Sequence, residues 1–572
     1  MALPPGIVFL LKAIPPLLYP AAIAYGCLRV FENVNEVKLP LWVPIVVVLA
    51  ANPLLWTTQS VIEDRRRRKQ AAAMGAVIAP MVPSKTPWGL DNLAIIVTTE
   101  PEHVKAILAT KFEDFDKGPV TGDAFYSLLG DGVFSTDGDM WKFHRSMTRP
   151  FFNKERISDF ANFDRHADNI LRQAKARIAE GFPVDFQDMV ARFTLDSATE
   201  YLFGYDVNSS GAGLGYPEGA PQSNAPYFLN HPSNRFVQAF GTGQYFTAAR
   251  VQAGTAWRLL EFWKDKVSPL RAIVDEYIRD LLDAAAVEKS NVDAAKTPSD
   301  YKPKEGDNLL QHLVNYTQDR SVLADELINL LVAGRDTTSG TLSFGIYKLA
   351  EYPEIAEKLR AEILEKVGPT RSPTYDDIKD MKYLRAFLNE TLRMYPIVPA
   401  NARQELVIAS LIPLAQYLLT GRLTRTRCSR QRMRRSHLFL CLYSVYLMHR
   451  RTDLWGPDAG KFDPDRFIDE RLGKYLTHNP YIFVPFNAGP RICLGQQFAY
   501  NEMSFFLVKL LQNFSSFSLA TDVQPRDSIR APTAADTPGS EVEKRIFGVH
   551  LTMYFKSGLW VRMKEAPPAP SV

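Results

Sequence analysis

From Pro101 to about Pro396, apolar residues recur at three- and four-residue spacing. The stretches "PEHVKAILATKF", "RISDFANFDRHADNILRQAKARIAE", "WRLLEFWKDKVSPLRAIVDEYIRDLLDAAAVEK" and "ADELINLLVAGRDTTSGTLSFGIYKLAEY" all carry this pattern, which predicts helices. Two polar stretches rich in Gly and Pro, Asn208–Pro226 and Asn291–Asp307, interrupt them as loops. The first contains Gly211, Gly213 and Gly215, but no strand precedes it, so it does not read as a nucleotide-binding turn. Strand-like pieces are few and late, such as "GVHLTMYFKSGLWVRM" (Gly548–Met563). No internal repeat is visible. The expected fold class is mainly α with small β-sheets.

The first seventy residues follow another pattern. Gly6–Leu28 is almost wholly apolar and, as a helix, would be about 34 Å long, enough to cross a bilayer. Lys12 and three prolines interrupt it. A second run, Leu39–Trp56, would reach roughly 27 Å. "EDRRRRKQ" follows, with Arg65–Arg68 and Lys69, a cluster that is retained on the cytoplasmic side. With two spans both the amino terminus and the body face the cytosol; with one, the amino terminus is lumenal and the body is still cytosolic. A cleaved signal peptide is disfavoured, because no basic segment opens the chain. The organisation expected is a membrane anchor over residues 1–69 and a proline-rich linker over 70–89. A catalytic body over 90–563 and a tail over 564–572 follow.

Composition adds limits. The chain has 572 residues, is 46% hydrophobic and 23% charged, and carries a net charge of +4. That is ordinary for a globular protein, and too weakly basic for a nucleic-acid partner. Its four cysteines, Cys27, Cys428, Cys441 and Cys493, form no CxxC pair, so neither a disulfide framework nor a zinc site is expected. Cys493 stands in "PFNAGPRICLG". Gly489 and Gly495 let the backbone turn tightly there. Backbone N–H groups in such a turn, and the start of the following helix "QQFAYNEMSFFLVKLLQNF", favour a thiolate. Arg491 offers a fork for a carboxylate on a bound partner. The alternative is a buried structural cysteine in a glycine turn.

Phe486-x-x-Gly489-x-Arg491-x-Cys493-x-Gly495 resembles the haem-binding signature of the cytochrome P450 family. Further motifs stand in that family's order: "WKFHR" (Trp141–Arg145), "AGRDTT" (Ala333–Thr338), "ETLR" (Glu390–Arg393) and "FDPDRF" (Phe462–Phe467). "YPIVPANAR" and "MHRRTDLWGPDAGKFDPDRF" look most like the fungal branch that hydroxylates alkanes and fatty acids. The resemblance implies haem (iron protoporphyrin IX) held by Cys493, with Trp141, Arg145, Arg491 and Arg403, the last in a turn, around its propionates. It implies Asp336 and Thr337 as a proton relay for O2 activation, in a helix kinked at Gly334. It implies Glu390, Arg393 and Arg466 as a buried structural ion network. It further implies a monooxygenase of the endoplasmic reticulum membrane with its body in the cytosol, in contact with membrane lipid. Electrons would come from NADPH–cytochrome P450 reductase, and the substrate would be an apolar small molecule. Aromatics in "RFVQAFGTGQYF" (Arg235–Phe246) and a strand pair at "HLTMYF" (His550–Phe555) are expected around the substrate. A haem-thiolate isomerase that uses no O2, and a membrane haem sensor, are the competing functions.

One stretch breaks the pattern. Between "NARQE" and "YSVYLMHRR" the family has a short hairpin rich in proline and glycine, and Leu406–Leu442 does not resemble it. No Asp or Glu occurs from Leu406 to Thr452, and Gly421–Arg435 holds seven arginines. The expectation is that 406–442 is translated out of frame or from a retained intron, which would leave the chain poor in haem.

Overall fold

The computed structural model describes residues 3–73, 93–222, 225–290, 308–317, 319–405, 438–530 and 543–567. It forms two compact units, one of residues 1–94 with 252–266, the other of 95–251 with 267–572.

In the first unit, helix α1 (Pro5–Val34) runs on through Pro15, Pro16 and Pro20, although each proline removes one helical donor. It is long and apolar enough to cross a membrane, and Leu11, Leu18, Ile23 and Val30 along it are exposed. Helix α2 (Trp42–Ala73) is apolar only from Trp42 to Leu55. It continues past the basic cluster and takes in residues 70–73, the start of the expected linker; residues 74–92 lie outside the described residues. Within this unit Gly6 N–H donates to the Phe262 carbonyl at 2.8 Å.

In the second unit, the helices that place the site are α3 (Gly138–Thr148), α4 (Ala161–Ala179), α5 (Phe186–Phe203) and α6 (Pro232–Ala253). They continue with α7 (Ser268–Ser290), α8 (Arg320–Glu351), α9 (Lys382–Met394) and α10 (Gln496–Asn513). The middle and later part of α8 is buried on all sides, from Leu323 to Leu349 with few exceptions, so it is lined with small and apolar residues all round rather than on one stripe. α8 runs as one continuous α-helix through Gly334, where a kink is expected. The hydroxyls of Thr337, Ser339, Thr341 and Ser343 each donate to the carbonyl four residues back, which satisfies them without interrupting the ladder. Gly334 also has a packing reason. A Cβ there would stand 3.2 Å from the Ala198 Cβ on α5, so the glycine lets the two helices approach.

Three small sheets complete the unit. One has the order β1 (Leu93–Thr98), β5 (Leu438–Ser444), β4 (Ala400–Glu405), β2 (Phe115–Asp116). The second is β3 (Val184–Asp185), β9 (Trp560–Glu565), β6 (Phe514–Leu519), and β7 (Phe547–Val549) pairs with β8 (Met553–Phe555). His550 is therefore in the turn of a hairpin rather than in a strand, and β9 carries regular structure two residues past the expected end of the body. β4 and β5 are antiparallel, from Ala400 opposite Ser444 to Glu405 opposite Phe439. Residues 438–442, expected to belong to the anomalous stretch, are thus regular strand; 406–437 lie outside the described residues, as do 291–307.

Candidate active site

The Cys493 loop is built on two residues with positive φ, Asn487 (61°) and Gly489 (65°). A Cβ on Gly489 would lie 1.9 Å from the Leu108 carbonyl oxygen, so both the conformation and the space demand glycine. Cys493 N–H donates to the Phe486 carbonyl (3.0 Å), and the Tyr443 hydroxyl donates to Asn487 Oδ1 (2.9 Å). Phe486 stacks obliquely on Tyr500 of α10, with ring centres 5.2 Å apart. Gly495 departs from expectation. Its φ is −83°, open to any residue, and a Cβ would make ordinary contact with Phe152. What it contributes is its N–H, whose pull favours the Cys493 thiolate.

Solvent reaches Cys493, yet protein surrounds it closely, as on an inward-facing wall. Burial raises the thiol pKa, against the pull of the Gly495 N–H and of the Arg145 guanidinium. Arg145 also donates to the Ile492 carbonyl at 2.8 Å, which fastens α3 to the loop.

Trp141 and Arg145 share one face of α3, as their spacing requires. The indole lies against two guanidiniums, with Arg491 at 4.4 Å and Arg145 at 5.8 Å from its ring centre. Arg491 donates to Asp137 (2.5 Å) and to the Thr136 carbonyl (3.3 Å), and its buried Nε has no partner. Arg403 is buried on strand β4 opposite Cys441, not in a turn. A third cation, Lys117, escaped the sequence reading because a lone lysine carries no signal. Its Nζ donates to the Phe134 carbonyl at 2.5 Å, and its backbone N–H to Asp137 at 2.9 Å. Burial, then repulsion from Arg403 and Arg491, holds the Lys117 pKa well below that of an ordinary lysine. Burial and Arg403 push Arg491 down to about 10. Asp137, the carboxylate that Arg491 and Lys117 share, was missed as well. The cluster is a buried excess of positive charge beside a thiol.

On α8, Asp336 is buried and both of its oxygens are engaged: Arg335 Nη1 donates to Oδ1 (2.5 Å) and Gln244 Nε2 to Oδ2 (2.6 Å). The Thr337 hydroxyl donates to the Ala333 carbonyl at 2.7 Å. The expected aromatic run divides. Phe236 and Phe240 are fully buried core on α6, stacked at 5.4 Å, whereas Gln244 of the same run reaches Asp336. The His550 pKa is lowered by burial, against the pull of Asp336. Another buried acid, Glu502 on α10, is pushed up to about 8 by burial, although Ser197 and Thr338 hydrogen-bond it.

The ion network closes as expected and gains a member. Arg393 donates to both oxygens of Glu390 (2.6 and 2.8 Å) and to the carbonyls of His449, Ala459 and Lys461. Arg466 Nε lies 3.8 Å from Glu390, and its closer carboxylate is Asp458, at 3.0 Å.

These motifs can be set against known proteins. The family model described as "Cytochrome P450" matches residues 87–411 and 439–539. The chain belongs to the cytochrome P450 family. Among its relatives, cytochrome P450 52A3-B of Candida maltosa is 34% identical over 485 residues, covering 82% of each chain. Cytochrome P450 52E1 of Candida apicola is 35% identical over 427 residues, 73% of this chain and 75% of its own. The cytochrome P450 monooxygenase pvhE of Talaromyces variabilis is 32% identical over 450 residues, 74% of each. This P450 is a monooxygenase that binds haem through a cysteine thiolate, uses O2 and a redox partner, and acts on apolar substrates. The residues present fit that group. The buried cations around Asp137, with Arg491 Nε left unpartnered, call for further negative charge, which two propionates would supply.

Proposed function

We propose that this P450 hydroxylates long-chain alkanes or fatty acids, with Cys493 as the sole protein ligand to the haem iron. The observation that carries the reading is one solvent-reached thiol beside the cations Arg491, Arg403 and Lys117, of which Arg491 pairs with the Asp137 carboxylate. When bound, haem with a thiolate donor supplies O2 activation and favours O–O cleavage. The chain's own residues do the rest. The Gly495 N–H and Arg145 stabilise negative charge on the sulfur. Arg491, Arg403, Lys117, Arg145 and the Trp141 indole hold the propionates. Thr337 holds a proton at Oγ1, and the Asp336 carboxylate replenishes it. Two protons are consumed for each oxygen atom released as water. Electrons come from NADPH–cytochrome P450 reductase. Helix α1 anchors the chain in lipid of the endoplasmic reticulum, with the body in the cytosol; the basic run after Trp56 supports that orientation.

Thr337→Ala should keep haem and divert electrons into hydrogen peroxide. The measurement is peroxide released per NADPH consumed, with n-hexadecane and lauric acid as substrates. An unchanged ratio would count against the relay. Hydroxylated product formed only with NADPH and O2 separates this reading from an isomerase and from a sensor.

A second reading has an observation of its own. The family match stops at residue 411 and resumes at 439, while β4 and β5 on either side are paired in register. An insertion of ordinary design would be polar and of mixed charge; this one carries arginines without a single acid. The second reading is that this stretch is translated out of frame or from a retained intron. The chain as written is then poor in haem, whereas its gene specifies a working oxygenase. Sequencing the transcript across this stretch should show a spliced or shifted reading, and replacing it by a short hairpin rich in proline and glycine should raise haem occupancy. A transcript that specifies these residues, with full haem content in the protein, sinks the idea.

A further inference from the structure

Asp336 precedes the threonine it is to serve, yet neither of its oxygens faces that task. Arg335 Nη1 holds Oδ1 at 2.5 Å, Gln244 Nε2 holds Oδ2 at 2.6 Å, and the Thr337 hydroxyl is turned back on Ala333. Gln244 belongs to α6 and is 1% exposed. Its Oε1 is buried and has no partner, and neither has the buried hydroxyl of Thr247, three residues on. Residues three apart lie on one face of a helix. The face of α6 that holds Asp336 therefore carries an unused donor beside an unused acceptor. If the Gln244 amide turns so that Oε1 accepts from Thr247, Nε2 leaves Asp336. The turn gives partners to Oε1 and to the Thr247 hydroxyl while Nε2 and Asp336 Oδ2 give theirs up, and it trades a bond to a charged group for a neutral one, so the latched arrangement prevails on the order of tenfold.

We propose that Gln244 is a latch: it positions Asp336 away from Thr337, and its turn toward Thr247 frees the carboxyl to carry protons. The inference rests on the relay reading of Asp336 and Thr337 and adds a residue from a different helix that governs it. Arg335 is a poor relay, because its guanidinium does not give up a proton. The Gln244 side is thus where Asp336 is released.

The test uses the full chain with haem and reductase. Gln244→Leu removes both amide groups, and Gln244→Met does so at nearly unchanged volume, which guards against a folding defect. Without substrate, both variants should oxidise NADPH faster per haem, on the order of tenfold, the loss expected for one hydrogen bond to a charged group, with a smaller share of the electrons recovered as peroxide, the reverse of Thr337→Ala. Their solvent deuterium isotope effect should fall toward one, because proton delivery no longer waits for the latch. A merely structural glutamine would lower haem content and leave the isotope effect alone. Unchanged NADPH oxidation and isotope effect in both variants, where Asp336→Asn still slows turnover, would overturn the latch and leave the relay standing. If Asp336→Asn changes neither quantity, the relay reading falls, and the latch with it.

Discussion

Replacing Cys493 by alanine is expected to abolish the thiolate-type spectral shift of the reduced CO complex and all NADPH-dependent product. The expectation follows from the chain's small stock of thiols. Among the described residues, Cys27 lies on α1 in the anchor unit and Cys441 is buried in β5 opposite Arg403; Cys428 lies outside the described residues. Cys493 has the Gly495 N–H at its sulfur and Arg145 close by. Removing the sulfur removes the electron donation that favours O–O cleavage, which the propionate cations cannot replace. Haem content is read in the same preparation. A variant that keeps some haem but lacks the shift supports Cys493 as ligand, and a surviving thiolate-type shift would mean that another cysteine ligates the iron.

The second large effect is expected far from the reacting atoms. Glu390 and Arg393 have fully buried side chains, and the guanidinium donates five hydrogen bonds, two to the carboxylate and three to carbonyls. Glu390→Gln strands a buried cation, at a cost of about 3–5 kcal/mol. Against a total stability of roughly 5–15 kcal/mol, that is enough to populate unfolded or haem-free chains at physiological temperature. Arg393→Lys should not rescue, because an ammonium has three donors and no planar fork. Thermal unfolding and haem retention measure both. A loss below about 1 kcal/mol, the range of exposed pairs, would show that the network is not what holds this corner together.

How much of this was legible beforehand can be judged from particular residues. Trp141 and Arg145 came from a short local motif, and their spacing on one helix was enough to put them side by side. Glu390 and Arg393 are likewise one turn apart, so their pairing is a property of the helix itself. Cys493 was marked by its glycines, although only Gly489 carries a conformational demand, and that demand comes from the Leu108 carbonyl, which is remote in sequence. The kink expected at Gly334 was read from local propensity. The packing of α8 against Ala198 of α5 gives the glycine a further reason. Arg403 was placed in a turn, because nothing in "NARQE" shows that it pairs with Cys441 across thirty-odd residues of anomalous sequence.

The order of motifs along the chain therefore determined the family, the thiol to propose as ligand, the helical body and the apolar leader, since each of these depends on spacings within a few residues. The tertiary structure alone decided which separate elements meet. Lys117 joins Arg491 at Asp137 across more than 350 residues, Asp458 completes the Glu390 network, and Gln244 of α6 takes hold of Asp336 on α8. The reason is physical: a side chain's partners within a helix turn are set by its periodicity, whereas partners from distant elements are chosen by the packing of the core, which no local pattern records.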